Sequence, residues 1–142
     1  MIDKYAPIIP YVGIGGIRLN STKAEVEQVL GCPLEGKELL YDGEWSKYTI
    51  GNELSLFFVE EDDRLFEIET LPGYQGKLFG KIGTDTDEAD LLRLEPTLEY
   101  DEFEEIYQSK EKGVIIMTDI PAQKAVWIAV YVEDLDELCG IK

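Results

Sequence analysis

Carboxylates are the side chains this sequence offers for chemistry. It holds 30 aspartates and glutamates, 13 lysines and arginines, and no histidine. Paired carboxylates can act as acid and base, as in glycoside hydrolysis. With 30 acids in 142 residues, however, close pairs arise by chance, and no pair is marked out. Asp85-x-Asp87-x-x-Asp90 has some of the spacing of a calcium loop, but it lacks the turn glycine and the distal bidentate glutamate. Acids facing the dipole of a helix N-terminus account for it as well. The absence of histidine removes Ser-His-Asp and Cys-His catalysis and most zinc sites. Gly13-x-Gly15-Gly16 lacks the spacing of a dinucleotide loop, and no Lys-Ser/Thr follows it. The expectation is no enzyme, no cofactor and no metal site.

What remains is binding. Two acidic runs stand out: Glu60, Glu61, Asp62 and Asp63, and then Glu99, Tyr100, Asp101, Glu102, Phe103, Glu104 and Glu105. One reading is a solvated turn and a solvated strand face. The other is an electronegative docking surface, with the carboxylates steering a basic partner and the aromatic residues supplying burial. The net charge of −17 is spread evenly, with 14 acids and 6 bases in residues 1–72 and 16 and 7 in residues 73–142. Such a surface repels nucleic acid and anionic membrane and attracts basic proteins; solubility alone is the competing account.

The elements that must position these residues follow from local patterns. Thr22-x-x-Glu25 is a capping box; Val26, Val29 and Leu30 form an apolar stripe; Gly31 and Pro33 stop the helix. Strands are expected over 37–41, 44–50, 53–60 and 64–70, with Asp42-Gly43 and Gly51-Asn52 as hairpin turns. Phe66 and Ile68 are read on one side of the last of these. The second half starts with a helix over about 87–94. Strands over 99–109 (with a loop at its start), 114–118 and 125–132 come next, then one closing helical turn or two in 133–139. The second half loosely copies the first: Asn20, Val26 and Val29 find Asp85, Leu91 and Leu94 65 residues on, and Tyr41 and Tyr48 find Tyr100 and Tyr107 59 residues on. Such periodicity predicts repeats. The expected fold is α+β, a single compact unit over 1–142. Two tandem helix-plus-β-meander repeats (12–71 and 77–132) form one antiparallel sheet with short helices on one face, and 133–142 is a C-terminal tail. The sheet's other face is polar, or it binds something.

Cys32 and Cys139 give no disulfide framework, and the N-terminus has neither a long apolar run nor a cleavage pattern. A cytoplasmic protein with two reduced thiols is expected.

Gly16-Ile17-Arg18-Leu19, Thr22-Lys23-Ala24-Glu25-Val26, Val29-Leu30-Gly31-x-Pro33, Asp42-Gly43-x-Trp45-x-x-Tyr48, Leu54-x-Leu56-x-Phe58 and Leu65-x-x-Ile68 together resemble the SmpA/OmlA (BamE-type) domain, paired in tandem in the β-lactamase-inhibitor proteins. The resemblance implies short helices with a three-stranded meander, and in the inhibitors a sheet face that plugs an enzyme. The envelope members carry a signal peptide and a lipidated cysteine, and neither is expected here, which argues against a role in outer-membrane assembly. The stretch from Tyr74 to Gly83 is similar to cytoplasmic immunity proteins of polymorphic toxin (contact-dependent inhibition) systems. The function expected from charge and resemblance together is an acidic immunity protein that occludes a basic, nuclease-like toxin. The alternative is a BamE-like assembly module that binds a protein with no toxin involved.

Overall fold

The computed structural model describes residues 2–119 and 121–135. β1 (Gly13–Ile14) and β2 (Ile17–Arg18) form a small hairpin. Gly15 and Gly16 turn it at φ 67° and 87°, a left-handed pair that glycine adopts without steric cost. α1 (Lys23–Leu30) opens on the capping box, with Glu25 N donating to Thr22 Oγ1 (3.2 Å) and Thr22 N donating to Glu25 Oε1 (2.8 Å), and it ends on Gly31 in the left-handed region. The helix buries Val26 and Leu30 and leaves Val29 half exposed.

β3 (Glu38–Leu40), β4 (Trp45–Ile50), β5 (Leu54–Val59) and β6 (Arg64–Thr70) follow as a meander. A 3-10 turn (Glu88–Asp90) runs into α2 (Leu91–Leu94). β7 (Glu99–Asp101), β8 (Ile106–Ser109), β9 (Val114–Asp119) and β10 (Lys124–Tyr131) complete the strands among the described residues. All eight from β3 onward join one antiparallel sheet in the order β3-β4-β5-β6-β10-β9-β8-β7.

This overturns the expected α+β plan of two helix-plus-meander repeats with helices on one face. Among the described residues the molecule is mostly β, with α-helices of only eight and four residues. Where the first half has a capped helix, the second has a 3-10 turn and a single helical turn, because Pro96 stops it two residues after Leu94. A separate two-stranded hairpin, β1–β2, also stands outside the large sheet. Most of the core is built on one sheet face, with Phe57 and Phe66 buried on the other. Cross-strand register lines up Tyr48, Leu56, Ile68, Val130, Val114 and Ser109 in one continuous row. Ile8, Ile14, Ile17, Tyr74, Leu78 and Ile82, all from loops and the small hairpin, join this core alongside the helical Val26, Leu30 and Leu91. Loops therefore cover the sheet as much as helices do.

Two sequence readings fail locally. The single strand with a loop at its start expected over 99–109 is a hairpin, because Asp101 Oδ1 accepts from the amides of Phe103 (2.9 Å) and Glu104 (3.1 Å) and turns the chain. Phe66 and Ile68 do not share a side. A β-bulge opposite Phe57 and Phe58 leaves Phe66 unpaired, and its ring meets Trp45 (4.8 Å) and Phe57 (6.4 Å) on the face away from Ile68. The closing helical turn of 133–139 and Cys139 lie almost wholly outside the described residues. Among the described residues, no helix is long and apolar enough to cross a membrane.

Candidate functional site

The two acidic runs are not brought together. Glu60, Glu61, Asp62 and Asp63 turn β5 into β6 at one end of the sheet. Glu102, Glu104 and Glu105 turn β7 into β8 at the opposite end, in the other half, as the registers of β6 with β10 and of β9 with β8 require. The first run is partly committed to structure. Glu60 pairs with Lys37, and Asp63 Oδ1 accepts from the Lys23 amide (3.0 Å) at the start of α1, where a carboxylate also meets the positive end of the helix dipole. The second run is freer, and Phe103 at its tip is 92% exposed.

Within the second run, register separates residues that the sequence reading had grouped. Tyr100 pairs with Tyr107 and packs on its ring (4.9 Å) on the core side, while Glu99 and Asp101 point to the outer face. Tyr107 Oη in turn donates to Glu88 Oε2 (2.8 Å), and burial followed by that carboxylate pushes the Tyr107 phenol up to about 12. Glu88, Tyr100, Glu105, Met117 and Asp119 line a hollow of about 480 Å³ at this end. A larger, more apolar groove of about 770 Å³ runs past Ile2, Tyr5, Leu30, Leu34 and Ile50, with the exposed thiol of Cys32 at its wall.

Asp85, Asp87 and Asp90 do not converge on a common point. They pair separately with Lys77 (3.9 Å), Lys124 (3.4 Å) and Arg93 (3.1 Å). Among the described residues no three metal-ligating side chains cluster. Glu95 is buried, and its carboxylate accepts from the Thr97 hydroxyl, which also bonds Ser109 Oγ (2.7 Å). The Thr97 hydrogen bond holds the Glu95 carboxyl below the usual range. This acid serves structure.

Sequence reasoning missed the most unusual pair of carboxylates. Glu67 and Glu69 stand two apart on β6, one of the two central strands, and both point to the outer face. Glu67 lies between Phe57 and Tyr131, and Glu69 between Ser55 and Ala129. Burial, then the neighbouring Glu69, pushes the Glu67 carboxyl well up. Burial also raises Glu69, against the hydrogen bond from Glu67 and the charge of Lys47. Burial and mutual repulsion thus disfavour two negative charges on this pair. Lys47 Nζ sits over the Phe57 ring (5.6 Å) beside them. The only local signal was the alternation of Glu with Phe66 and Ile68, which reads as an ordinary solvated strand face.

No protein-family model matches the sequence, and no curated protein matches it. Among solved structures, a cysteine-rich secretory protein from Staphylococcus aureus subsp. aureus Mu50 is similar in fold, with a TM-score of 0.56 and 6% identity over 92% of this chain. The match covers 50% of that protein, so this chain spans about half its length. At that identity the likeness concerns fold alone.

Proposed function

We propose that this chain is a binding protein, not an enzyme, and that it takes a basic protein partner. The reading that fits best is an immunity-type inhibitor acting in the cytoplasm, which neutralises a basic, nuclease-like toxin domain by covering its active site. A site that binds phosphate is basic, and a protein of charge −17 is its electrostatic complement. The observation that carries the reading is uncompensated charge. Among the described residues five ion pairs form, against 28 acids in the same residues (30 in the chain less Asp136 and Glu137). Most carboxylates therefore have no internal cation, at both ends of the sheet and on its outer face. Occlusion needs no catalytic group.

Co-expression with a basic nuclease domain encoded beside it tests the proposal. Growth is restored, and the purified pair associates with a rate that falls steeply between low and physiological salt. Continued growth arrest together with no association at low salt would sink it.

A further inference from the structure

We propose that the outer face of the large sheet is the docking surface, and that its occupant is a basic protein presenting lysine or arginine on both sides of an apolar centre. This deepens the preceding reading and rests on it. Register defines the face. One row runs Thr49, Ser55, Glu69, Ala129, Ile115, Gln108, Glu99, and the next runs Trp127, Met117, Ile106, Asp101. An antiparallel sheet with one solvated face places polar residues there. Here Trp127, Met117, Ile115 and Ile106 form a half-buried apolar strip instead, and none of the four belongs to the core cluster or packs against it.

The strip is bounded by carboxylates on both sides. Glu67 and Glu69 lie on β6, and Glu99 and Asp101 on β7 at the sheet edge. Four strand spacings of about 4.8 Å put Glu69 and Glu99 roughly 19 Å apart. An apolar centre inside a polar rim is the general plan of a protein interface, and here the rim has one sign.

The same charge selects the occupant. A second copy of this chain would set carboxylate against carboxylate, and nucleic acid and anionic membrane are repelled. On the β6 side the local cation is Lys47, so two carboxylates face one lysine. Burial and the neighbouring carboxylate disfavour a second negative charge there while the face is empty, and a partner's cation would relieve that. Tyr131 stands beside Glu67 across the β6–β10 pairing.

The test uses the full chain with isoleucine δ1 and methionine ε methyls labelled, so that Ile106, Ile115 and Met117 report directly. The probe is the octapeptide Arg-Arg-Leu-Trp-Leu-Leu-Arg-Arg, whose inner arginines span about 17 Å when extended. The same peptide with glutamate in place of arginine is the control. At low salt the arginine peptide is expected to shift those three methyls saturably, and the control peptide is expected to leave them in place. Glu67→Gln with Glu69→Gln is expected to weaken binding about fivefold or more, whereas Glu61→Gln with Glu104→Gln, which replaces as many carboxyl groups, changes it by less than about twofold. The methyl spectrum of each variant reports its fold. Saturable shifts confined to the 60–63 or 102–105 turns, or equal weakening by the two double variants, would overturn this surface and leave the binding reading standing. No saturable shift anywhere at low salt would overturn both.

Discussion

The ring of Tyr11 lies across Gly113. Tyr11 Oη donates to Lys110 O (2.9 Å), which holds the ring over the β8–β9 turn, and a Cβ added at Gly113 would overlap ring carbons. Gly36 has the same φ of 74° with open space around it. The two glycines therefore separate backbone strain from contact. Gly36→Ala is expected to cost about 1 kcal/mol, the ordinary penalty for a left-handed alanine. Gly113→Ala should cost more, and adding Tyr11→Ala should recover the excess. Urea midpoints of the four proteins check this; equal costs at the two glycines would show that the ring moves aside freely.

The carboxyl pair on β6 should make the fold less stable as pH rises. The ordinary carboxyl value is 4.5, and burial lifts Glu67 well above it. Below the ordinary value the group is protonated both folded and unfolded, so there is no penalty. As pH rises toward the folded value, the unfolded chain ionises while the folded one resists, and stability is lost. Glu67→Gln is expected to stabilise the fold at pH 7 by on the order of 1 kcal/mol, with the gain vanishing near pH 4.5. Urea unfolding of both proteins at the two pH values measures it. A variant less stable at pH 7 would contradict the burial argument.

Arg64 joins three parts of the chain. Its Nη1 and Nη2 donate to Asp134 (3.0 and 2.7 Å), and its Nε donates to Asn20 (2.6 Å). The hydrogen bond from Arg64 holds the Asp134 carboxyl below its usual range, so its contribution is present at neutral pH and lost as pH falls below about 4. The pair is partly exposed, with 26% and 42% of the two side chains accessible. Asp134→Asn should therefore cost only about 0.5 kcal/mol at pH 7, and progressively less as pH falls below about 4. Arg64→Lys should cost more than Asp134→Asn, since one ammonium cannot hold Asn20 and both carboxylate oxygens. The reverse order in thermal unfolding would reject this account.

Local signals decided what could be read in advance. The capping box at Thr22 and Glu25 and the strands near 114–118 and 125–132 follow from neighbours in sequence, and all stand close to their expected bounds. The second helix was over-read, because apolar spacing through Leu91 and Leu94 carries no weight against Pro96 and an uncapped Asp87. The outer face was not legible at all. Glu67 and Glu69 are central only because β6 pairs with β10, some 60 residues away in sequence, and a strand in isolation shows two glutamates in alternation. Tyr100 was grouped with its acidic neighbours, although the period of two in a strand sends it to the core side.

The two acidic turns and the outer face should be separable in kinetics. Charges at the rim of a surface steer an approaching partner and act on association, whereas groups covered by it act on dissociation. Glu102, Glu104 and Glu105 are exposed in the β7–β8 turn, beside the Glu99 and Asp101 edge of the apolar strip. Reversing all three to lysine is expected to slow association with the basic partner roughly tenfold or more at low salt, with dissociation little changed. The fold should survive, since each is an exposed turn position and such changes move stability by about 0.5 kcal/mol or less. The effect should fade as salt rises and the Debye length contracts below about 8 Å. Tyr100→Ala serves as the contrast. Because its ring packs on Tyr107 on the core side, it should loosen the β7–β8 hairpin and leave the outer strip in place, changing dissociation less than Trp127→Ala does. Stopped-flow association and surface-capture dissociation, each at two salt concentrations, measure both quantities. If the triple reversal acts on dissociation instead, the turn itself is covered by the partner. If Tyr100→Ala exceeds Trp127→Ala, the partner sits on the edge of the core side and not on the outer face.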